Sequence, residues 1–182
     1  MEPMDILSHG LWGSVAFGRK NRFSFWTAFL FGVLPDFLAF GPLFIWMIIN
    51  WAFLGGAIAH PEPGNGYANI PKYVFSVYDV THSLIVFLSA FALVWIVRKR
   101  PMWEMSAWGF HVFMDIFTHD KSFFPTPFLW PLSDYEFSGV SWAHPIIFFP
   151  NVILLVSLYS YWWYERRKMR KIGKRVEKSV EK

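Results

Sequence analysis

Apolar residues in this chain come in long runs broken by short polar or Pro/Gly punctuation, and the breaks define the elements. Ile6 to Gly18 predicts a short helix, with small residues at Gly10, Gly13, Ser14 and Ala16 suited to close helix contact. Phe23 to Leu34 predicts a second short helix that stops at Pro35-Asp36. At 1.5 Å per residue each piece reaches roughly 20 Å, short of the ~30 Å hydrocarbon core of a bilayer. The two read as a helical hairpin dipping into the membrane. Phe37 to Ala59 is a further apolar stretch, interrupted at Gly41-Pro42, and His60 to Tyr78, rich in Pro and Gly, reads as a loop. Val80 to Val97 is long enough to span, and Met102 to Thr118 is long enough or nearly so. A Pro-bearing loop from His119 to Ala143 leads to a last span, Pro145 to Tyr164, which ends in Tyr159, Tyr161, Trp162, Trp163 and Tyr164, as interfacial aromatic belts do.

Composition turns this pattern into a solvent argument. In 182 residues, 54% are hydrophobic, 21% aromatic and only 16% charged, below the quarter or so charged residues of ordinary soluble domains. One soluble core of this size could not enclose 21 Phe, 11 Trp and 7 Tyr. The fold class expected is therefore all-α: an integral membrane bundle of about four to six helices, some short or re-entrant, with a polar site at its outer mouth. Residues 1–164 would form the membrane-embedded domain and 165–182 a basic cytoplasmic tail. The acidic start, without a small-residue cleavage site, does not read as a cleavable signal peptide.

Positive charge falls in three clusters: Arg19, Lys20 and Arg22; Arg98, Lys99 and Arg100; and the tail from Arg166 to Lys182. Only Lys72 and Lys121 lie elsewhere. Basic residues collect on the cytoplasmic side of a bilayer. The expectation is a multi-pass protein of the cell inner (plasma) membrane, with its C-terminus cytoplasmic and its histidines toward the outer face. On this scheme a single crossing by Phe37 to Ala59 would split the clusters between two faces, so that stretch is expected to bend back at Gly41-Pro42 or to lie along the outer interface. The tail is expected to be solvated, partly disordered and in contact with anionic lipid; no nucleic-acid partner is expected.

With charge so scarce, carboxylates and imidazoles flanked by apolar sequence stand out. His9 begins the first helix, Asp36 ends the second, Asp79 and His82 begin the third, and His111, Asp115 and His119 end the fourth. If each helix pair turns at a basic cluster, these side chains meet at the opposite end. His111, Asp115 and His119 fall at i, i+4 and i+8, one stripe of a helix. Imidazole and carboxylate suit Zn²⁺ and similar ions, and with zero Cys any metal site must be built from them. Asp79 has two readings: a cap for a helix starting at Val80, or a general base or carboxylate orienting a ligand imidazole. Thr81, Ser83 and Thr118 are expected to bond backbone or ligand groups, and no Ser-His-Asp or Gly-x-Ser-x-Gly arrangement is present. His60 and His144, beside prolines, read as structural or solvent-facing. The segment Phe123 to Pro131 reads as an aromatic belt or, alternatively, as a stiff wall over the polar mouth.

Taken in order, Ser8-His9-Gly10, Leu34-Pro35-Asp36, Thr81-His82-Ser83-Leu84 and His111-x-x-x-Asp115-x-x-Thr118 resemble the membrane-bound metal-dependent hydrolases that include inner-membrane proteins described as LexA-binding. The order His, Asp, His, His-x-x-x-Asp is also similar to the ligand order of the zinc-dependent phospholipase C fold. The resemblance implies metal ligands at His9, Asp36, His82, His111 and Asp115, with His119 a further one. Phe37, and Tyr78-Asp79, stand where many relatives carry a second acidic residue and an Arg.

The expected function is a membrane-bound hydrolase holding one or two divalent ions, Zn with Mn or Fe as alternatives, that acts on an ester or phosphoester of a lipid-like substrate. Asp36 or Asp79 would accept the proton of the attacking water. The competing expectation is a non-catalytic membrane protein in which the same residues hold a structural metal or form a buried polar knot. Ion or proton transport ranks last, because the inner halves of the spans hold few polar residues apart from Glu104.

Overall fold

The computed structural model describes residues 6–55, 70–122 and 124–180, with side chains to residue 173; His60 lies outside them. Among the described residues the fold is all-helical: α1 (Ile6–Phe17), α2 (Arg22–Phe53), α3 (Lys72–Thr81), α4 (Leu84–Arg98), α5 (Ser106–Thr118) and α6 (Pro145–Val180). A single 3-10 turn, Trp103–Met105, precedes α5.

Two pieces that the sequence pattern separates are one helix. α2 continues for 32 residues through both Pro35 and Pro42, about 48 Å at 1.5 Å per residue. Each proline deletes one ladder bond, which neighbouring helices can make good in a membrane bundle. The short hairpin ending at Pro35-Asp36 and the bend at Gly41-Pro42 are thus replaced by one long helix. The parity problem disappears with them: α2 runs away from the first basic cluster, and α3 with α4 leads back to the second.

α2 and α6 are each long and apolar enough to cross a membrane, and α3 with α4, bent by 57° at the break, makes a third such unit if counted as one. Large side chains on these helices, among them Trp46, Ile49, Leu93, Ile96, Ile153 and Val156, are exposed, which suits hydrocarbon and not water. Lys72 to Tyr78 is helical, not loop. Asp79 lies inside α3 and does not cap α4; Ser83 does, its hydroxyl accepting from the Ile85 and Val86 N–H groups. α6 passes without interruption through Tyr164 into the basic tail, so the tail to Val180 is helix where partial disorder was expected.

The three basic clusters gather at one end. Lys20 Nζ stands 3.7 Å from Glu104 Oε1, and Ser24 donates to the same oxygen at 2.7 Å, joining the first cluster to the turn after the second. Partial burial works against ionisation of Glu104, but the Ser24 hydroxyl, a backbone N–H and the Lys20 ammonium outweigh it and hold the carboxyl below its ordinary range. Phe25 stacks on Trp162 at 5.6 Å, which brings the start of the third cluster to the same end.

Close packing fixes the other end. A Cβ on Gly32 would stand 2.6 Å from the His9 carbonyl oxygen and 3.1 Å from Gly10 Cα, so only glycine lets α1 lie this close to α2. Of the small residues of α1, Gly10, Gly13 and Ser14 are buried as expected, while Ala16 is exposed. Polar contacts hold α6: Trp12 Nε1 donates to Asn151 Oδ1 at 2.6 Å, Asn151 Nδ2 to Ser8 Oγ at 2.9 Å, and Tyr159 to the Leu11 carbonyl at 3.0 Å. Ala39, Phe40, Val74, Tyr78 and Phe124 form an apolar core between α2, α3 and the loop after α5.

Candidate metal centre

Three parts of the bundle deliver four donors to one buried chamber. Asp36 comes from the middle of α2, His82 from the break between α3 and α4, and His111 and Asp115 from successive turns of α5; all four are buried. One ligand atom from each lies within 4.8 Å of all the others. His82 Nε2 stands 3.3 Å from Asp36 Oδ1, 3.4 Å from Asp115 Oδ2 and 3.1 Å from His111 Nε2. His111 Nε2 stands 3.0 Å from Asp115 Oδ2 and 3.8 Å from Asp36 Oδ1. Donors bound at ~2.0–2.1 Å around a tetrahedral zinc lie about 3.3 Å apart. The set has the spacing of a coordination shell.

Hydrogen bonding points the same way. His111 Nδ1 lies 2.7 Å from the Gly32 carbonyl, His82 Nδ1 3.2 Å from the Tyr78 carbonyl, and His119 Nδ1 2.8 Å from the Phe124 carbonyl. A carbonyl only accepts, so each Nδ1 must be the donor and each neutral ring presents a bare lone pair at Nε2. That is how metal-ligating histidines are held. Without a cation, the 3.1 Å approach of two Nε2 atoms sets lone pair against lone pair. Both oxygens of Asp115, and His9 Nδ1, are buried with no hydrogen-bond partner; buried polar atoms are rarely left so. The residues therefore fit a divalent cation, and Asp36, His82, His111 and Asp115 can hold one; the fit does not depend on which metal it is.

The second oxygen of Asp115 turns to the remaining expected ligands. Oδ1 lies 2.9 Å from His9 Nε2 and 3.7 Å from His119 Nε2, while His9 Nδ1 lies 3.9 Å from Asp36 Oδ2. His9 is the most open of the group, its side chain 12% exposed. Asp79 does not join them: it is half-buried on α3, with Asp134 as its charged neighbour. The polar site expected at the outer mouth is a buried cluster. Asp36 lies about 21 Å along α2 from Arg22, counting 1.5 Å per residue, and α2 continues for a similar length beyond it.

Backbone does much of the positioning, and sequence reasoning missed it. Phe124 adopts φ +46°, a left-handed conformation that costs a non-glycine residue of order 1 kcal/mol. It aims one carbonyl at both Tyr78 Oη (2.9 Å) and His119 Nδ1, while its ring packs among Phe40, Phe75 and Tyr78. The stretch after α5 is thus a wall over the chamber: its Phe128 carbonyl takes the Leu84 N–H at 3.0 Å, and its Trp130 carbonyl takes the Ser83 hydroxyl. Thr81 Oγ1 lies 3.0 Å from His82 Nδ1 and Thr118 donates to the Met114 carbonyl at 3.1 Å. His144 is exposed and accepts from the Ile146 N–H at the start of α6.

Comparison with family models, with curated proteins and with solved structures finds no match. The reading of this site rests on its own residues.

A cleft of about 230 Å³ opens beside His9, between α1, α5 and α6. Trp12, Phe113, Met114, Phe117, Trp142 and Ile147 give it an almost wholly apolar lining, with Ser8, Thr118 and Asn151 as its polar points. It links His9, partly open, to the apolar exterior.

Proposed function

We propose that this chain is a membrane-embedded metal-dependent hydrolase that cleaves an ester or phosphoester of a lipid-like substrate. The observation that carries the reading is the convergence of bare Nε2 atoms and unpartnered carboxylate oxygens on a chamber whose most open member, His9, borders an apolar cleft. Zinc, or manganese or iron in its place, would supply Lewis acidity, acidifying a water and polarising the scissile bond. The chain's own parts follow from their positions. Asp36, His82, His111 and Asp115 fix the geometry through carbonyl-anchored rings. His9 and His119, both facing Asp115 Oδ1, would take a second ion or orient the substrate oxygen. Asp36 Oδ2, 3.9 Å from His9 Nδ1, is the proton acceptor in this scheme, since Asp79 lies outside the grouped donors. The apolar cleft would hold the chain of an amphiphile with its polar linkage at His9. The order of ligands, similar to that of metal-dependent membrane hydrolases, supports the same assignment, and in this scheme the protein lies in the inner membrane with its basic end cytoplasmic.

The test is turnover of mixed phosphatidylethanolamine and phosphatidylglycerol vesicles by the full chain loaded with Zn²⁺ or Mn²⁺, with products identified by mass spectrometry. Metal-dependent release that falls at least a hundredfold in His9→Gln, with metal content kept, is the expected result. One observation favours the second reading, a structural metal: the four innermost donors already number enough to close a tetrahedral shell, and closed sets are the structural kind. Stoichiometric metal without turnover on any lipid ester would select that reading.

A further inference from the structure

At the basic end of the molecule, away from the metal ligands, a pocket of about 210 Å³ is lined by Arg22, Phe25, Trp26, Trp162 and Arg166. The two arginines are distant in sequence and come from the first turn of α2 and from α6 just past its apolar run. No carboxylate pairs with either among the described residues: the basic end's one Lys/Arg ion pair is Lys20 with Glu104. Arg166 lies over the Trp162 ring at 4.1 Å, and Phe25 stacks on that ring from α2 with Trp26 edge-on behind it. The floor is therefore a rigid aromatic surface, and the rim carries two guanidinium groups, which bind phosphate oxygens in pairs. The first turn of α2 adds the positive end of its helix dipole.

We propose that this pocket binds the phosphate of one anionic phospholipid from the leaflet at the basic end of the protein. Its depth argues for a lipid: Trp162 and Arg166 mark the junction between the apolar run of α6 and the basic tail, next to Arg167 stacked over Trp163 at 3.6 Å. A phosphate held there leaves its acyl chains along the exposed apolar faces of α2 and α6. This differs from diffuse attraction of a basic tail to a charged surface, because Arg22, over 140 residues from Arg166, is half of the site and the tail beyond Met169 is not part of it.

The experiment is native mass spectrometry of the full detergent-purified chain, titrated with phosphatidylglycerol or phosphatidylcholine of the same acyl chains. The expected result is one retained phosphatidylglycerol per chain, at least fivefold preferred over phosphatidylcholine. Arg22→Gln and Arg166→Gln should each lower that occupancy at least fivefold, and Arg170→Gln/Lys171→Gln less than twofold. Metal content measured on the same samples reports folding independently of the pocket. Equal losses in pocket and tail variants would replace the site with diffuse electrostatics. Full displacement of the lipid by millimolar inorganic phosphate would mean that the pocket is a phosphate site and not a lipid site, and no preference between the two lipids would end the proposal.

Discussion

Replacing Asp115 by Asn separates a metal centre from a polar knot, because the two make opposite predictions about stability. Asp115 is the hub: one oxygen lies 3.0 and 3.4 Å from His111 and His82, the other 2.9 and 3.7 Å from His9 and His119. If these contacts hold the fold together unaided, Asp115→Asn loses them in every condition, and the loss of one partner in a buried charged network costs about 3–5 kcal/mol. If a cation holds them, the wild type is stabilised by binding, about 4 kcal/mol when free metal is a thousandfold above its dissociation constant. At roughly 2–4 °C per kcal/mol for a chain of this size, that is about 8–16 °C. The assay is thermal unfolding of detergent-solubilised protein with and without a strong chelator. The wild type should lose about 10 °C on chelation, and Asp115→Asn should lose less than 2 °C. In chelator the variant should match or exceed the wild type, since it removes a buried carboxylate whose two oxygens, though close to four imidazoles, make no hydrogen bond. A wild type indifferent to chelator, above a variant low in both conditions, would refute the metal centre.

His111→Gln and His82→Gln should each abolish stoichiometric metal in elemental analysis, while His144→Gln, at the exposed start of α6, should leave it unchanged. Gly32→Ala adds no chemistry but drives a Cβ into the His9 carbonyl at 2.6 Å; displacing α1 should cost about 1–3 kcal/mol and weaken metal retention with every ligand present, as read by elemental analysis after mild dialysis. Ser83→Ala removes the cap of α4 and the contact to the Trp130 carbonyl, about 1 kcal/mol for the cap alone, visible as a lower thermal midpoint. Glu104 binds its proton less readily folded than unfolded, so its stabilising effect is present above the ordinary glutamate range and fades as pH falls through the folded value. The difference in midpoint between wild type and Glu104→Gln should therefore be present at pH 7 and close on acidification.

What the sequence made legible was chemistry; what it hid was continuity. Scarcity of charge singled out His9, Asp36, His82, His111, Asp115 and His119, and the structure brings all six around Asp115, because a charged or polar side chain in apolar surroundings has few places to go. Asp79, the other proton acceptor expected, is half-buried on α3 and is not part of the Asp36, His82, His111 and Asp115 group. The helix boundaries were misread at Pro35 and Pro42, because the rule that proline ends a helix is drawn from water, where an unpaired carbonyl is solvated at little loss. In hydrocarbon the broken helix is the costlier choice, so α2 continues. The carbonyls of Gly32, Tyr78 and Phe124 were invisible for a simpler reason: every residue has one, and only tertiary structure aims it. A signal for the α6 contacts was present and unused. Asn151 is a lone amide in an apolar run, and it joins Trp12 and Ser8.

His111 and Asp115 lie within α5, but the other candidate ligands sit at irregular or closely packed points of the helices. Asp36 follows Pro35 in α2; His82 ends α3 at the 57° bend; His119 ends α5; His9 sits beside Gly10 where α1 touches Gly32. A carbonyl has two lone pairs, so one already engaged in the helix can accept again: the Tyr78 carbonyl takes both the His82 N–H at 2.8 Å and its Nδ1 at 3.2 Å. An imidazole that must present a bare Nε2 needs such an acceptor at Nδ1, and the acceptors found are those of Gly32, Tyr78 and Phe124. The helical carbonyls of Gly32 and Tyr78 anchor His111 and His82, while irregular backbone, tolerated at membrane depth only where protein encloses it, supplies the Phe124 carbonyl that anchors His119. It follows that Phe124→Ala, which keeps the His119 anchor, should lower stability through the core while metal content survives. A substitution that straightens the break, Ser83→Leu, should lose metal without removing a single ligand.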